Sequence, residues 1–271
     1  MKRESFGSRL GFILVSAGCA IGIGNVWKFP YICGAYGGAA FILIYLCFLV
    51  ILGIPVLVAE FAVGRGSHTS VAKCFDKLAP AGSGWKPLKF IGIIGCYMLM
   101  MFYTTVGGWM IYYCVKSLRG DFVGATPEAV TQSFSDMLGN APTMMLWMVI
   151  ICLIGFAVCF MGLQNGIEKI SKVMMSALLI IMVILAVHSV MMEGAGEGIR
   201  FYLIPDFQKI KEAGVGNVVF AALSQSFFTL SIGIGAMLIF GSYLDKSRSL
   251  TGEAVSITVL DTFVALTAGF I

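Results

Sequence analysis

The feature that most constrains this chain is an apolar run interrupted by helix-breaking residues. The interruption lies in residues 16–30, SAGCAIGIGNVWKFP, where Gly18, Gly22 and Gly24 precede Asn25 and Pro30. Glycine costs a helix interior about 1 kcal/mol relative to alanine, and proline about 3 kcal/mol. We therefore expect a helix to break here. In a membrane, such a break persists only where it is buried in protein or lines a water-filled cavity. Freed carbonyls suit cations and freed N–H groups suit anions, so the stretch predicts half of a site for ions and substrate.

The composition places this interruption in a membrane. Of the 271 residues, 59% are hydrophobic and 12% are charged, and the mean hydropathy is +0.94. These values are typical of a polytopic α-helical membrane protein that sits in the lipid bilayer. A dispersed net charge of +4 argues against nucleic acid as a partner. The sequence shows no acid–base or metal cluster that would indicate an enzyme.

Apolar runs of about 20 residues predict seven membrane spans. Their bounds are 9–36, 38–63, 89–118, 144–160, 167–191, 215–244 and 251–271. Most of the 18 lysines and arginines fall on one side if the N-terminus is inside. We therefore expect a multi-pass protein of the plasma membrane with a cytoplasmic N-terminus. Because the chain ends within or just after its last apolar run, we also expect it to be truncated.

A second interruption, in the sixth predicted span, repeats the first. Residues 231–235, SIGIG, echo residues 20–24, AIGIG, and the odd number of spans between the two starts inverts the second copy. Paired, glycine-interrupted spans in corresponding positions of two halves are typical of transporters with a site at the bilayer midplane. The alternative is that both runs are small-residue faces for close helix packing. Polar residues beside both interruptions favour the site.

Three segments resemble the neurotransmitter:sodium symporters. They are RLGFILVSAGCAIGIGNVWKFP in the first span, GGAAFILIYLCFLVILGIPVLVAEFAVGR in the second and SQSFFTLSIGIGAM in the sixth. The resemblance implies an all-α polytopic membrane protein that contains the first seven spans of a twelve-span, five-plus-five inverted-repeat fold, with broken first and sixth helices. It divides the chain into a first repeat at 1–191, an extracellular loop at 192–214 and the start of the second repeat at 215–271.

The resemblance also implies two sites for sodium. The first would take oxygen atoms from Ala20, Asn25, Thr229 and Asp261. The second would take the backbone carbonyls of Gly18 and Ile21. Its remaining ligands would come from an eighth span that this chain lacks, so we expect the second site to be incomplete.

The substrate that the resemblance implies is a neutral amino acid, and we expect it to be hydrophobic. Its carboxylate would meet the N–H of Gly24, the hydroxyl of Tyr103 and the first sodium ion, with Ala20 also at the substrate. Four further side chains would line the pocket: Leu99, Phe228, Ser231 and Ile234. Without the family context, Tyr103 would be interpreted as an interfacial or packing residue and Phe228 as a core aromatic residue.

Four residues are expected to gate or support the site: Arg3, Lys28, Glu60 and Gln225. Lys28 stands where the family's prototype has an arginine in its extracellular gate. An ion pair made by Lys28 would lack the two parallel hydrogen bonds that an arginine donates to a carboxylate. Glu60 is an intramembrane carboxylate, which is costly and therefore a functional candidate. We expect it to accept hydrogen bonds from N–H groups freed by the breaks. The alternative is a residue of the inner interface beside Arg65.

Asp261 is the most informative departure from the family. Members with neutral residues at this position and one turn later, where this chain has Ala265, need chloride to balance the charge of sodium. The carboxylate of Asp261 predicts chloride-independent binding in a full-length form, unless Asp261 caps a helix or pairs elsewhere. The sequence thus predicts sodium-coupled symport of an amino acid by alternating access. The alternative is a truncated, non-transporting fragment that is inactive or acts only as a binding or assembly partner.

Overall fold

The computed structural model describes residues 6–271, and within them the chain forms helices and turns without strands. The predicted all-α class is confirmed. Five helices are long and apolar enough to cross a membrane. They are Ala39–Ser67, Leu88–Arg119, Ala141–Phe160, Leu163–Val190 and Leu250–Ala268.

The first and sixth predicted spans are broken. The first consists of Arg9–Ala20, here called the first half-helix, and Gly24–Ala35, which is bent from it by 54°. The sixth consists of Val215–Thr229 and Ala236–Gly241. We call residues 21–23 the first-span break and residues 230–235 the sixth-span break. Four shorter helices lie in the connections: Val71–Leu78, Pro127–Gly139, Ala195–Leu203 and Phe207–Ala213.

Local sequence explains how the first span starts and breaks. The first half-helix begins after Ser8, whose hydroxyl accepts from the N–H of Gly11 at 3.0 Å and so caps the helix. After the first-span break the chain resumes as a π-helical turn, Gly24–Lys28. Proline lacks an N–H, so Pro30, the second residue after this turn, fits the first turn of the helix that follows.

Two compact units make up the described chain. The first comprises the residues up to Ile93 together with Glu168–Ile271, and the second is Ile94–Ile167. The core of the first unit contains large, fully buried side chains: Phe29, Phe41, Tyr45, Leu57 and Phe61. In the second unit a Cβ on Gly108 would lie 2.8 Å from the backbone nitrogen of Met148. The glycine therefore allows two of its helices to approach at backbone distance.

A similar close approach joins the second and sixth spans within the first unit. A Cβ on Gly241 would lie 2.6 Å from the Cα of Phe61, and one on Gly64 would overlap the carbonyl oxygen of Leu238. The absence of side chains at these two glycines therefore lets Ala236–Gly241 pack directly on the backbone of the second span. This contact holds Ala236–Gly241 beside Glu60.

Candidate functional site

The two breaks lie against each other in the first unit. The hydroxyl of Ser231 donates to the carbonyl of Cys19 at 2.9 Å. The side-chain amide of Gln225 donates to the carbonyl of Gly24, also at 2.9 Å. Each hydrogen bond runs from the sixth span to the first, on either side of the first-span break. The polar backbone of the two breaks is therefore brought to one place.

The first-span break leaves backbone carbonyls without their helical donors. Its first residue, Ile21, has extended backbone angles (φ −71°, ψ 113°), which ends the first half-helix. The N–H of Gly22 donates to the Asn25 Oδ1 at 3.2 Å. In a continuous helix this N–H would instead donate to the carbonyl of Gly18. The break therefore turns backbone oxygen atoms towards the side chains that surround it.

The sixth-span break is built from left-handed backbone. Ser231, Gly233 and Gly235 have φ values of +52°, +92° and +77°. Glycine adopts such angles readily, whereas a residue with a Cβ is strained there. Ser231 is held in this conformation by its hydrogen bond to the first span. The positive φ value and the hydroxyl together make Ser231 the residue that ties one break to the other.

Glu60 collects N–H groups that the sixth-span break frees. Its Oε1 accepts from the N–H of Gly233 at 2.6 Å, and its Oε2 accepts from the N–H of Leu238 at 3.2 Å. These contacts place the carboxylate against the sixth span. The part that Glu60 takes in transport stays a prediction.

Three side chains form a buried polar group beside the breaks, here called the polar triad: Asn25, Thr229 and Asp261. The Asn25 Nδ2 donates to Asp261 Oδ1 at 2.8 Å and to Thr229 Oγ1 at 2.9 Å. The hydroxyl of Thr229 donates to Asp261 Oδ2, also at 2.8 Å. All three residues are 0% exposed. Three helices that are distant in sequence thus deliver one carboxylate, one amide and one hydroxyl to a single point.

The polar triad suits a monovalent cation. In the described part of the chain no salt bridge involves Asp261, so its carboxylate is balanced only by neutral donors. A buried charge without a counter-charge is costly, and a cation beside it would offset that cost. The side chains of Ser16, Gln225 and Thr258, in the same unit, also have a buried oxygen atom without a hydrogen-bond partner. Hard cations are held by such oxygen atoms.

Divalent and transition metals are a poorer match. Residues 6–271 contain no group of three or more His, Cys, Asp or Glu side chains placed to hold a metal ion. A cation at the polar triad would therefore be bound by one carboxylate together with carbonyl, amide and hydroxyl oxygen atoms. That mixed, weakly charged set favours an ion of single charge.

Lys28 and Phe228 form a contact beside the first-span break. The Nζ of Lys28 lies 4.1 Å from the centroid of the Phe228 ring, within the range of a cation–π interaction. A Cβ on Gly24 would lie 2.9 Å from the same ring. Gly24 therefore leaves the space that the Phe228 ring occupies. The sequence singled out Lys28 and Phe228 separately but did not predict that they touch.

Other predicted site residues are placed as follows. Ile234 lies in the sixth-span break. A Cβ on Gly92 would lie 3.2 Å from the carbonyl oxygen of Ile234. Gly18 lies on the first half-helix, against the side chain of Met175. Leu99 and Tyr103 lie on Leu88–Arg119, in the second unit, and their part in a pocket stays a prediction. Arg3 lies outside the described residues.

Two buried carboxylates were missed by the sequence reasoning. Glu168 and Glu253 are each 3% exposed, although both stand near the start of a membrane-spanning helix. A glutamate at the start of a span is usually exposed to solvent. A second signal was available for Glu168, because Lys172 follows it at the spacing of a helical ion pair.

Comparison with known proteins identifies the family and the fold that the chain resembles. A family model described as the sodium:neurotransmitter symporter family matches residues 3–127 and 128–271. The uncharacterized sodium-dependent transporter YhdH of Bacillus subtilis is 35% identical over 268 residues, which are 99% of this chain and 58% of that protein. The sodium-dependent neutral amino acid transporter B(0)AT2 of Mus musculus is 25% identical over 98% of this chain and 40% of that protein.

Among solved structures, the chain is similar to MhsT in complex with L-phenylalanine. The TM-score is 0.89 and the sequence identity 38%, over 99% of this chain and 60% of that one. The resemblance in fold therefore extends across the whole chain. The chain spans less than two thirds of the length of each of these proteins.

Proposed function

The chain belongs to the sodium:neurotransmitter symporter family, and from that premise we propose that it carries a site for sodium-coupled symport of a neutral, hydrophobic amino acid by alternating access. The family consists of sodium-dependent membrane transporters, not enzymes. The observation that carries the proposal is the polar triad at the junction of two broken spans. We further propose a plasma-membrane location with a cytoplasmic N-terminus, which the distribution of lysine and arginine favours.

Sodium would bind among the oxygen atoms of the polar triad and the carbonyl of Ala20. In the structure, the Asn25 Nδ2 points at both Asp261 Oδ1 and Thr229 Oγ1. The NH2 group of the Asn25 side chain thus lies at the position that we propose for the cation, between Thr229 and Asp261. Rotation of this amide would present Oδ1 to the ion in its place. The carbonyls of Gly18 and Ile21 are our candidates for a second sodium ion.

The amino acid would bind beside the first sodium ion. An N–H at the start of a helix favours a carboxylate, so the N–H of Gly24 is suited to the substrate carboxylate. Tyr103 would contribute its hydroxyl. The apolar lining proposed from Leu99, Phe228 and Ile234, with Ser231 beside it, favours a hydrophobic side chain. The L-phenylalanine bound to MhsT supports this choice of substrate class.

Coupling would follow from the shared ion. Sodium that touches the substrate carboxylate stabilises substrate binding, and the substrate stabilises sodium binding by the same amount. Asp261 would supply the negative charge that balances sodium, because Ala265, one turn later, has no polar group. We therefore propose that binding does not require chloride.

Equilibrium binding tests this proposal directly. The purified chain in lipid nanodiscs is titrated with radiolabelled L-phenylalanine in sodium and in potassium buffers. We expect saturable binding in sodium, loss of binding in Thr229→Val, and no change in the matched control Thr131→Val, which alters an exposed threonine. Equal binding in sodium and potassium would overturn the proposal.

Reconstitution separates transport from binding alone. Uptake of the amino acid into proteoliposomes, driven by an inward sodium gradient, would support symport by this chain. Sodium-dependent binding without uptake would support the alternative of a binding or assembly partner.

A further inference from the structure

The segment that joins the second and third spans carries the whole positive charge excess of the chain. We call residues 64–90 the basic loop. Of the 18 lysines and arginines and the 14 aspartates and glutamates in the sequence, 5 and 1 lie in this loop. The remaining 13 of each kind balance one another, so a net charge of +4 is concentrated in about a tenth of the chain. Such a concentration of charge favours an anionic partner.

The basic loop is fixed to the protein by its apolar side. Its helix, Val71–Leu78, buries Val71 and Cys74. A Cβ on Gly92 would lie 2.9 Å from the Cγ1 of Val71, and one on Gly235 would overlap the Cγ2 of the same side chain. The two glycines therefore leave the space into which Val71 packs. Because this face of the helix is buried, its polar face is turned outwards.

The cations of the basic loop divide into two groups. The Nζ of Lys89 lies 2.7 Å from Asp76 Oδ2, and the Nζ of Lys77 donates to a backbone carbonyl of the loop at 2.7 Å. These contacts hold the shape of the loop and pair its one acidic residue. Lys73 and Lys86 are exposed, and among the described residues no salt bridge involves either of them. Their charges are therefore available to a partner.

Exposed apolar side chains accompany these cations. Leu78, Trp85 and Phe90 are exposed, and each stands next to a lysine in the sequence. Trp85 lies three residues before Leu88, where the helix of the third span begins. Tryptophan at the end of a span is typical of the membrane–water interface, where its ring sits among lipid headgroups. Basic residues interleaved with exposed apolar ones are typical of a surface that lies on lipid.

We propose that the basic loop is a docking surface for anionic phospholipids of the bilayer that holds the spans. Lys73 and Lys86 pair with the phosphate groups of the lipid, and Trp85 inserts its ring among the headgroups. Lipid fits better than a soluble anionic protein because the loop adjoins the start of a span, which sets its side chains at headgroup level. The proposal needs the chain to lie in a membrane but needs neither sodium nor an amino acid, so it goes beyond the proposed function.

Hydrogen–deuterium exchange of the full chain in nanodiscs tests the docking surface. Discs of phosphatidylcholine are compared with discs that also contain phosphatidylglycerol, both in potassium chloride without sodium. One lysine near an anionic membrane strengthens the attraction about fivefold, so phosphatidylglycerol should slow exchange about fivefold or more in peptides covering residues 71–88. Peptides covering residues 127–139 should exchange equally in both discs. Concentrated potassium chloride should remove the difference, because salt screens the attraction.

Matched variants separate the contributions of charge and ring. Lys73→Gln combined with Lys86→Gln should abolish the difference between the two lipids, whereas arginine at both positions should keep it. Lys211→Gln removes one exposed charge outside the loop and should change nothing. Trp85→Ser should speed exchange at residues 71–88 in both lipids, since insertion of the ring does not depend on headgroup charge. Unchanged exchange at residues 39–48 checks that each variant is folded.

Three results would overturn the proposal. The first is equal exchange at residues 71–88 in the two lipids, and the second is a difference that survives the double glutamine variant. The third is equal protection by inorganic phosphate in phosphatidylcholine discs, which would indicate a site for a soluble anion. Sodium is tested separately, because its addition should protect residues 18–25 in either lipid if the proposed function is right. Failure of one proposal is therefore distinguishable from failure of the other.

Discussion

Replacing Asp261 with asparagine tests the electrostatics of the proposed sodium site. Asp261→Asn removes one negative charge and keeps the shape of the side chain. The new amide can still accept from Asn25 and donate to Thr229, so we expect the polar triad to keep its packing. The change therefore isolates the charge from the geometry.

The expected loss of sodium affinity follows from Coulomb's law. Two opposite unit charges about 4 Å apart attract by about 4 kcal/mol at an effective dielectric constant of about 20. The amide oxygen of asparagine still coordinates a cation through its dipole, so part of this energy remains. Since about 1.4 kcal/mol corresponds to a factor of ten, we expect sodium binding to weaken by about a hundredfold or more.

The same variant should respond to chloride. If the carboxylate balances the sodium ion, the unaltered chain binds sodium equally in chloride and gluconate salts. Without the carboxylate, chloride can supply the missing negative charge beside sodium. Asp261→Asn should therefore bind sodium more tightly in chloride than in gluconate. Titration of both proteins by isothermal calorimetry, with the exposed control Glu197→Gln, measures this difference. Strong chloride dependence of the unaltered chain, or unchanged sodium affinity in Asp261→Asn, would refute the reasoning.

Three further substitutions test the packing and support of the site. Gly64→Ala places a Cβ against neighbouring backbone, so it should lower the free energy of unfolding by about 1–3 kcal/mol and with it the thermal midpoint of the protein. The matched control, Gly155→Ala, faces open space and should keep the thermal midpoint of the unaltered chain. Glu60→Gln leaves one freed N–H without its acceptor and should lower both expression and sodium binding, and no change in either would contradict the structural role. Lys28→Met removes the cation above Phe228 and should weaken amino acid binding less than tenfold, while Lys28→Arg should preserve it.

The helices of this chain were predictable because the bilayer fixes their length. The third predicted span, 89–118, is the helix Leu88–Arg119 in the structure. The breaks were predictable because glycine and proline carry known helix costs. The π-helical turns were not, since a glycine such as Gly53 predicts a weakened helix but not its hydrogen-bond pattern.

The polar triad could not be found from spacing alone. Asn25 and Asp261 are 236 positions apart, and no periodicity relates them. Resemblance to a family supplied the pairing, whereas the structure supplied the distances. Glu168 and Glu253 escaped prediction because burial of a charge is decided by which helices pack together. The spacing of Lys172 from Glu168 indicates an ion pair but not the burial of that pair.

The charge that favours a cation at the junction of the two breaks comes from Asp261 rather than from the backbone. A broken helix frees N–H and C=O groups in equal number. Some freed N–H groups are taken by side-chain acceptors: Asn25 binds the N–H of Gly22, and Glu60 binds the N–H of Gly233. Freed carbonyls are taken in the same way, since Ser231 donates to the carbonyl of Cys19 and Gln225 donates to that of Gly24. Because side chains take both kinds of group, the preference for sodium that we propose rests on the buried carboxylate of Asp261.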